Sequence, residues 1–318
     1  MIPVNNILRS VYRCNETEGK LNILTMCRNT EKYISLLCQT SNNFYTVDNH
    51  PWNNLIEEKP SNVNTLSLCS QPLDCIICYD RAEQYEEAVQ LAYTFHIPIV
   101  LVDSCSEPLI RSHHWLEQLS PHDPSRMYRK PTLRICNSSH IQNSWNKDSL
   151  SIVIPIGIDT DKFKPVQKHG VAITLDNNIP PQLGAEISKR IGNSYPLLPS
   201  DQEDKSYVVA SKTRYFINTD KTVTIKMLEA MACENIVIAM KTPDTESFIE
   251  HSKTVILIES IDELFPAIQF LETSNNLRAQ ISKSARQKII DDHSLSTFIQ
   301  KWSSALNMVK SNFYTPSM

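Results

Sequence analysis

Apolar residues fall along this chain in short runs separated by longer amphipathic stretches. Leu21 to Cys27, Phe44 to Val47, Leu66 to Cys69, Asp74 to Tyr79, Ile97 to Val102 and Leu133 to Cys136 are too short for helices and suit strands buried in a parallel sheet. Between them, Glu31 to Gln39, Glu83 to Phe95 and His140 to Trp145 read as helices. Ala88, Leu91, Ala92 and Phe95 share one face of the second, and Ser138 and Ser139 are placed to cap the third. Asn49 to Asn64, rich in Asn and Pro, reads as a surface loop, and Ser104 to Pro131 as a long irregular stretch. Past Pro155 and Pro165 the rhythm resumes. Val171 to Leu175, Tyr215 to Asn218, Ile236 to Ile238 and Val255 to Ile258 read as strands, with short pieces at Tyr195 to Ser200 and Tyr207 to Ala210. Leu183 to Ile191, Ile261 to Glu272, Leu277 to Asp291 and Leu295 to Lys310 read as helices. Strand–helix alternation on both sides of Pro155 predicts an α/β protein with two doubly wound parallel sheets, and 318 residues suit two domains of about 150.

One stretch organises the rest: Lys221 to Ala239, KTVTIKMLEAMACENIVIA. Thr222 and Thr224 offer hydroxyls to cap a helix start, Met227 to Ala232 form a short apolar helix, and Ile236-Val237-Ile238 is a buried strand. Glu229 sits inside that apolar helix, where a carboxylate either faces solvent or needs a partner or ligand. Upstream, Ser151 to Pro165 reads SIVIPIGIDTDKFKP: a strand, a tight Gly turn, then Asp159-x3-Phe163-x-Pro165.

Together these two stretches resemble the nucleotide-sugar glycosyltransferases of the GT-B fold, in particular the family-4 (glycosyl transferases group 1) type. That family carries P-x-G-[IV]-D-x3-F-x-P at the entrance to its second domain and L-E-A-M-A-C-G-x-P-V-[IV] at its donor site. Pro155 to Pro165 and Leu228 to Ile238 match these in order, and ARQKIIDDHSLSTFIQKW is similar to the family's C-terminal segment. The resemblance implies two Rossmann-like domains facing across a cleft. Residues 1–150 would be the acceptor-side domain, with a C-terminal helix at about 296–318 crossing back onto it, and 151–295 the donor domain. It also implies glycosyl transfer, with retention at the anomeric carbon, from a UDP- or GDP-sugar, with no metal and no other cofactor. The acceptor is left open among a glycan, a lipid-linked glycan, a protein and a modified nucleic acid.

Residue by residue, the resemblance implies that Glu229 accepts the ribose hydroxyls and that Glu246 falls on the family's Glu of P-E-[IV]-[IV]. Lys221, Thr222, Thr224, Ile225 and Lys226 stand where the helix start meets the diphosphate. Asp103 and Ser104 end the strand after which many members carry a His, and are the catalytic candidates. The chain departs from the pattern in four places. Lys221 replaces the family's sugar-contacting Glu, and TLDNNIPPQLG, Thr174 to Gly184, lacks the Arg-Lys diphosphate clamp. No His follows Val102-Asp103, and Glu234, His251 and Thr254 stand at three family glycines. An enzyme therefore needs substitute cations, with Lys221 first, then Lys226, Lys212 or Arg214. The other reading is a GT-B-fold binding or scaffold module without catalysis.

Composition narrows this picture slightly. A net charge of −4 advertises no basic face, which weighs against nucleic acid. No apolar run approaches the roughly 20 residues of a membrane span, and the start MIPVNNILRS lacks a signal-peptide pattern, so a cytoplasmic protein is expected. Nine cysteines, odd in number and scattered, do not form a disulfide framework. Cys75 and Cys78, inside CIICY, read as buried thiols because residues three apart on a strand point to opposite faces. His113-His114, the Arg126, Arg129, Lys130 and Arg134 cluster, and Glu86-Glu87 read as solvated side chains.

Overall fold

The computed structural model describes residues 19–26, 30–48, 50–54, 56–79, 82–104, 130–144, 150–166, 173–175, 182, 185–187, 189, 197–198, 213–220 and 222–314. Its first half contains strands β1 (Asn22–Thr25), β2 (Asn43–Thr46), β3 (Val63–Thr65), β4 (Cys75–Tyr79), β5 (Ile99–Asp103), β6 (Leu133–Cys136) and β7 (Ser151–Val153). Helices α1 (Glu31–Leu37), α2 (Ala82–Phe95) and α3 (Ser139–Ser144) alternate with them. The second half contains β8 (Ile173–Leu175), β9 (Leu197–Leu198), β10 (Tyr215–Asn218), α4 (Ile225–Ala232), β11 (Ile236–Met240), α5 (Pro243–Phe248), β12 (Ile256–Ile258), α6 (Leu264–Thr273), α7 (Asn275–Asp292) and α8 (Leu295–Tyr314).

The first sheet has the order β3-β2-β1-β4-β5-β6-β7, and every neighbouring pair is parallel. Runs such as CIICY and IVLVD become its central strands because both faces are covered: every residue of β4 and β5 is buried. On one face α2 lays Tyr85, Ala88, Val89 and Ala92 against Leu24, Tyr45, Ile76 and Leu101, with Leu91 and Phe95 partly buried beside them. Elsewhere in the same unit, Tyr33 of α1 meets Tyr79, Phe298 and Trp302 edge-on, at ring-centroid distances of 5.6, 5.7 and 6.3 Å. The chain divides into two compact units, one of Met1–Pro155 with Phe298–Met318, the other of Ile156–Thr297.

Several expectations change. The third strand lies at Val63–Thr65, and Leu66–Leu68 is a 3-10 turn. Val63, which pairs with Phe44, is the buried residue, whereas Leu68 is 70% exposed. The loop after β2 lies at the surface as expected, with Trp52 as its anchor: that side chain is buried and its indole N–H donates to the Glu57 carbonyl at 2.6 Å. Arg134 is buried on β6, outside any solvated cluster, because every position of that strand is covered. Lys130 is exposed, while Arg126, Arg129, His113, His114 and Tyr207 to Ala210 lie outside the described residues. Cys75 and Cys78 are buried on β4, and burial pushes the Cys75 thiol up. No helix among the described residues is long and apolar enough to cross a membrane.

Candidate functional site

The second sheet has the order β12-β11-β10-β8-β9, again all parallel. The chain runs outward from β8 to β9, then returns to place β10 on the other side of β8. The C-terminal ends of β8 and β10 therefore flank a switch point, where open parallel sheets bind ligands. The turn from β10 into α4 lies at that edge. Asn218, the last residue of β10 and 1% exposed, organises the turn. Its Nδ2 donates to the Thr222 carbonyl at 3.1 Å and to Met227 Sδ at 3.5 Å, and its Oδ1 accepts from Asp220 N–H at 3.3 Å. The sequence reading ends the strand at Asn218 but assigns its side chain no role; a polar side chain closing an apolar strand was the available signal.

Thr224 caps α4: its backbone is extended (φ −93°, ψ 156°) and its Oγ1 accepts from Met227 N–H at 3.2 Å. Thr222, Ile225 and Lys226 are half-buried around that helix start. Glu229, one turn along, is only 6% exposed, as every residue from Met227 to Ala232 is buried. A wet-face glutamate is thereby ruled out. The i to i+4 spacing puts Glu229 on the same stripe as Ile225 at the helix start, and the i to i+3 spacing puts Lys226 beside it. The positive dipole end of α4, a carboxylate and a cation thus lie within two turns of one helix at the C-terminal edge of the second sheet.

The far end of α4 is held from elsewhere in its unit. Arg286 of α7 donates to the carbonyls of Ala232 and of Phe163, the latter at 3.1 Å, tying the Asp159-x3-Phe163 segment to the helix. Asp159 in turn accepts from the Asp161 and Lys162 N–H groups, both at 3.0 Å.

The remaining candidates are dispersed. Glu246 lies in the first turn of α5, half-exposed and 3.6 Å from Lys241, which also binds Glu259 at 3.1 Å. The hydrogen bond to Glu259, with Glu246 nearby, holds the Lys241 ammonium above its ordinary value. Arg214 is not available as a substitute clamp. It precedes β10, at the opposite end of that strand from the α4 turn, and both Glu272 oxygens accept from it at 3.2 Å. Lys221 and Lys212 lie outside the described residues. Asp103, 0% exposed, and the exposed Ser104 stand at the C-terminal end of β5 and belong to the other unit, so the donor and catalytic candidates divide between the two units. Of the glycine positions, Glu234 takes the left-handed backbone (φ 57°); near His251 and Thr254 it is Ser252 that does so (φ 59°).

A family described as glycosyl transferase-like matches residues 202–304, about a third of the chain. No curated protein matches it. Among solved structures, Anabaena HepE in complex with UDP-glucose is similar with a TM-score of 0.68 and 14% identity, covering 91% of this chain and 100% of that one. Sucrose-phosphate synthase from Thermosynechococcus elongatus gives 0.64 and 12% identity, over 92% of this chain and 100% of that one. A glycosyltransferase from Rickettsia africae gives 0.63 and 12%, over 93% and 100%. The chain therefore has the GT-B fold, and the segment holding α4 is similar to a glycosyl transferase-like family.

Proposed function

We propose that this protein transfers a sugar from a nucleoside-diphosphate sugar to an acceptor, with α4 as the donor-binding element. The observation that carries the reading is the placement of a capped helix start and the buried Glu229 at the switch point of the second sheet. In this reading the ribose hydroxyls donate to Glu229, a charge-assisted contact, and the diphosphate meets the N–H groups at the start of α4. Helix N–H groups offset only part of a doubly charged diphosphate. Lys221 supplies the balance, with Lys226 second; Thr222, Thr224 and Ile225 shape the turn, and Glu246 braces the neighbouring β11–α5 edge through Lys241. Asp103 and Ser104 remain the catalytic candidates. The HepE complexes with UDP and with UDP-glucose favour a uridine donor.

The test is a melting-temperature screen with UDP, GDP and ADP, followed by calorimetric titration. A ligand at 100 times its Kd stabilises by about 2.7 kcal/mol, so specific binding of one base is easily seen. Glu229→Ala should weaken that binding by about 1.5–3 kcal/mol. Lys221→Ala should lose more diphosphate affinity than Lys226→Ala, with the matching monophosphate less affected. If none of the three nucleotides binds, the transferase reading fails and a non-catalytic binding or scaffold module replaces it.

A further inference from the structure

A strand end, a turn and a helix start of the second unit are joined through one side chain. Asn218 closes β10, where its backbone pairs in register with Ala239 of β11, so the sheet fixes its position. Its amide reaches out of the sheet to the turn that leads into α4. Nδ2 donates to the Thr222 carbonyl and to Met227 Sδ, and Oδ1 accepts from the Asp220 N–H. Met227 is also the residue whose N–H donates to the Thr224 hydroxyl. Two side chains, Asn218 and Thr224, thus brace β10, the turn and the first turn of α4 against one another.

Backbone polarity decides which way the amide faces. The Thr222 carbonyl only accepts and the Asp220 N–H only donates, so Nδ2 faces the first and Oδ1 the second. An ionised aspartate of the same shape could serve the Asp220 N–H but not the Thr222 carbonyl. Asn218 is almost wholly buried, so these bonds do not compete with water, and losing one leaves a polar group unsatisfied. The donor contacts of α4 divide accordingly. Glu229 belongs to the helix body and keeps its place as long as the helix forms. The diphosphate falls to the turn and the helix start, whose backbone Asn218 holds.

We infer that Asn218 is a positioning residue that sets the β10–α4 turn in its diphosphate-binding form before the donor arrives; this rests on the reading of α4 as the donor element. Binding then carries no cost for ordering the turn, which is how a preformed loop gains affinity. Asn218 acts through the backbone of Asp220 and Thr222 and through the helix start, and its effect belongs to the diphosphate rather than to the nucleoside.

The experiment uses the full chain and two probes, UDP and uridine, titrated by calorimetry or by ligand-observed NMR. Asn218→Asp keeps the shape of the side chain and removes its donors. It should weaken UDP binding by about 10-fold or more and leave uridine binding within about 3-fold of wild type. Equal losses for both probes would mean that Asn218 serves only to build α4, and would overturn the assignment. So would an Asn218→Asp protein that binds UDP as wild type does, with the donor reading left standing. Amide hydrogen exchange on wild type gives a second measurement that needs no variant. The Asp220 N–H should be protected to the same degree with and without UDP. Protection that appears only with UDP would show the turn forming on binding, and overturns the inference even where Asn218→Asp does not fold. If wild type does not bind UDP, the reading of α4 as a uridine donor site fails first and takes the assignment with it.

Discussion

Glu234 stands directly after α4 in a left-handed backbone, where a β-carbon crowds the following carbonyl. It is held there by the helix end: Glu234 N–H donates to the Met231 carbonyl at 3.0 Å, and Asn235 N–H to the Ala230 carbonyl at 3.0 Å. Glu234→Gly should therefore raise stability by about 1 kcal/mol in urea unfolding; a loss would show that the side chain contributes more than its strain costs. Glu272 makes a second prediction at this scale. Burial pushes its carboxyl up, but hydrogen bonds from Tyr215 (2.5 Å) and Arg214, with the Arg278 guanidinium nearby, outweigh that and hold it below its ordinary value of 4.5. The unfolded chain then binds the proton more readily than the folded one. The stabilisation is present above the ordinary value and lost as pH falls through the lowered one. Glu272→Gln should flatten the acid limb of stability against pH; an unchanged limb would remove Glu272 as its source.

At the scale of elements, α4 depends on its cap. Removing the Thr224 hydroxyl orphans the Met227 N–H, so Thr224→Ala should cost about 1 kcal/mol in urea unfolding. It should also weaken UDP binding, while Thr224→Ser keeps both; a Thr224→Ala protein as stable as wild type would leave the cap without energetic weight. The α7–α8 joint is built on a histidine. His293 Nδ1 lies 2.7 Å from the Ile156 carbonyl, so it carries the proton, and its ring packs on Phe248 at 5.1 Å. Burial is the largest influence on His293 and lowers its pKa; the Ile156 hydrogen bond and Asp292 raise it, and Lys288 lowers it. The folded chain therefore keeps His293 neutral at a pH where the unfolded chain protonates it. The stability this gives is present above the ordinary histidine value of 6.5 and lost as pH falls below it. The melting temperature should drop between about pH 7 and 5, and less steeply in His293→Asn, followed by calorimetry; equal slopes would place that titration elsewhere.

At the scale of the molecule, the last helix completes a unit begun at the other end of the chain. Residues Phe298–Met318 group with Met1–Pro155, and Trp302, 0% exposed, packs beside Tyr33 and Phe298. Trp302→Ala should cost about 3–5 kcal/mol. Hydrogen exchange should show the loss in β1, β4 and α1, with β10, β11 and α4 keeping their protection. Loss spread evenly over all six elements would mean that the two units unfold as one.

Local pattern determined much of this by itself. Short β-branched runs alternating with amphipathic stretches specify parallel strands and covering helices, because strand and helix periods are properties of the chain over a few residues. An apolar helix over Met227 to Ala232, a threonine cap at Thr222 or Thr224 and the GT-B resemblance were legible in the same short windows; the structure starts the helix at Ile225 and chooses Thr224. Tertiary structure decided where polar side chains end up. Arg214 and Glu272 are 58 positions apart, and only folding brings them together at the end of β10 away from the α4 turn. Arg134 is buried because both faces of β6 are covered, and Glu229 because α4 is enclosed from Met227 to Ala232. Neither fact is contained in a window of sequence. Glu87 read as part of a wet helix face, and its pairing with His50, 37 positions away, forms only in the folded chain. Burial and charge pairing depend on contacts distant in sequence, so the chain alone determined its elements and the structure determined which of their polar groups share a site.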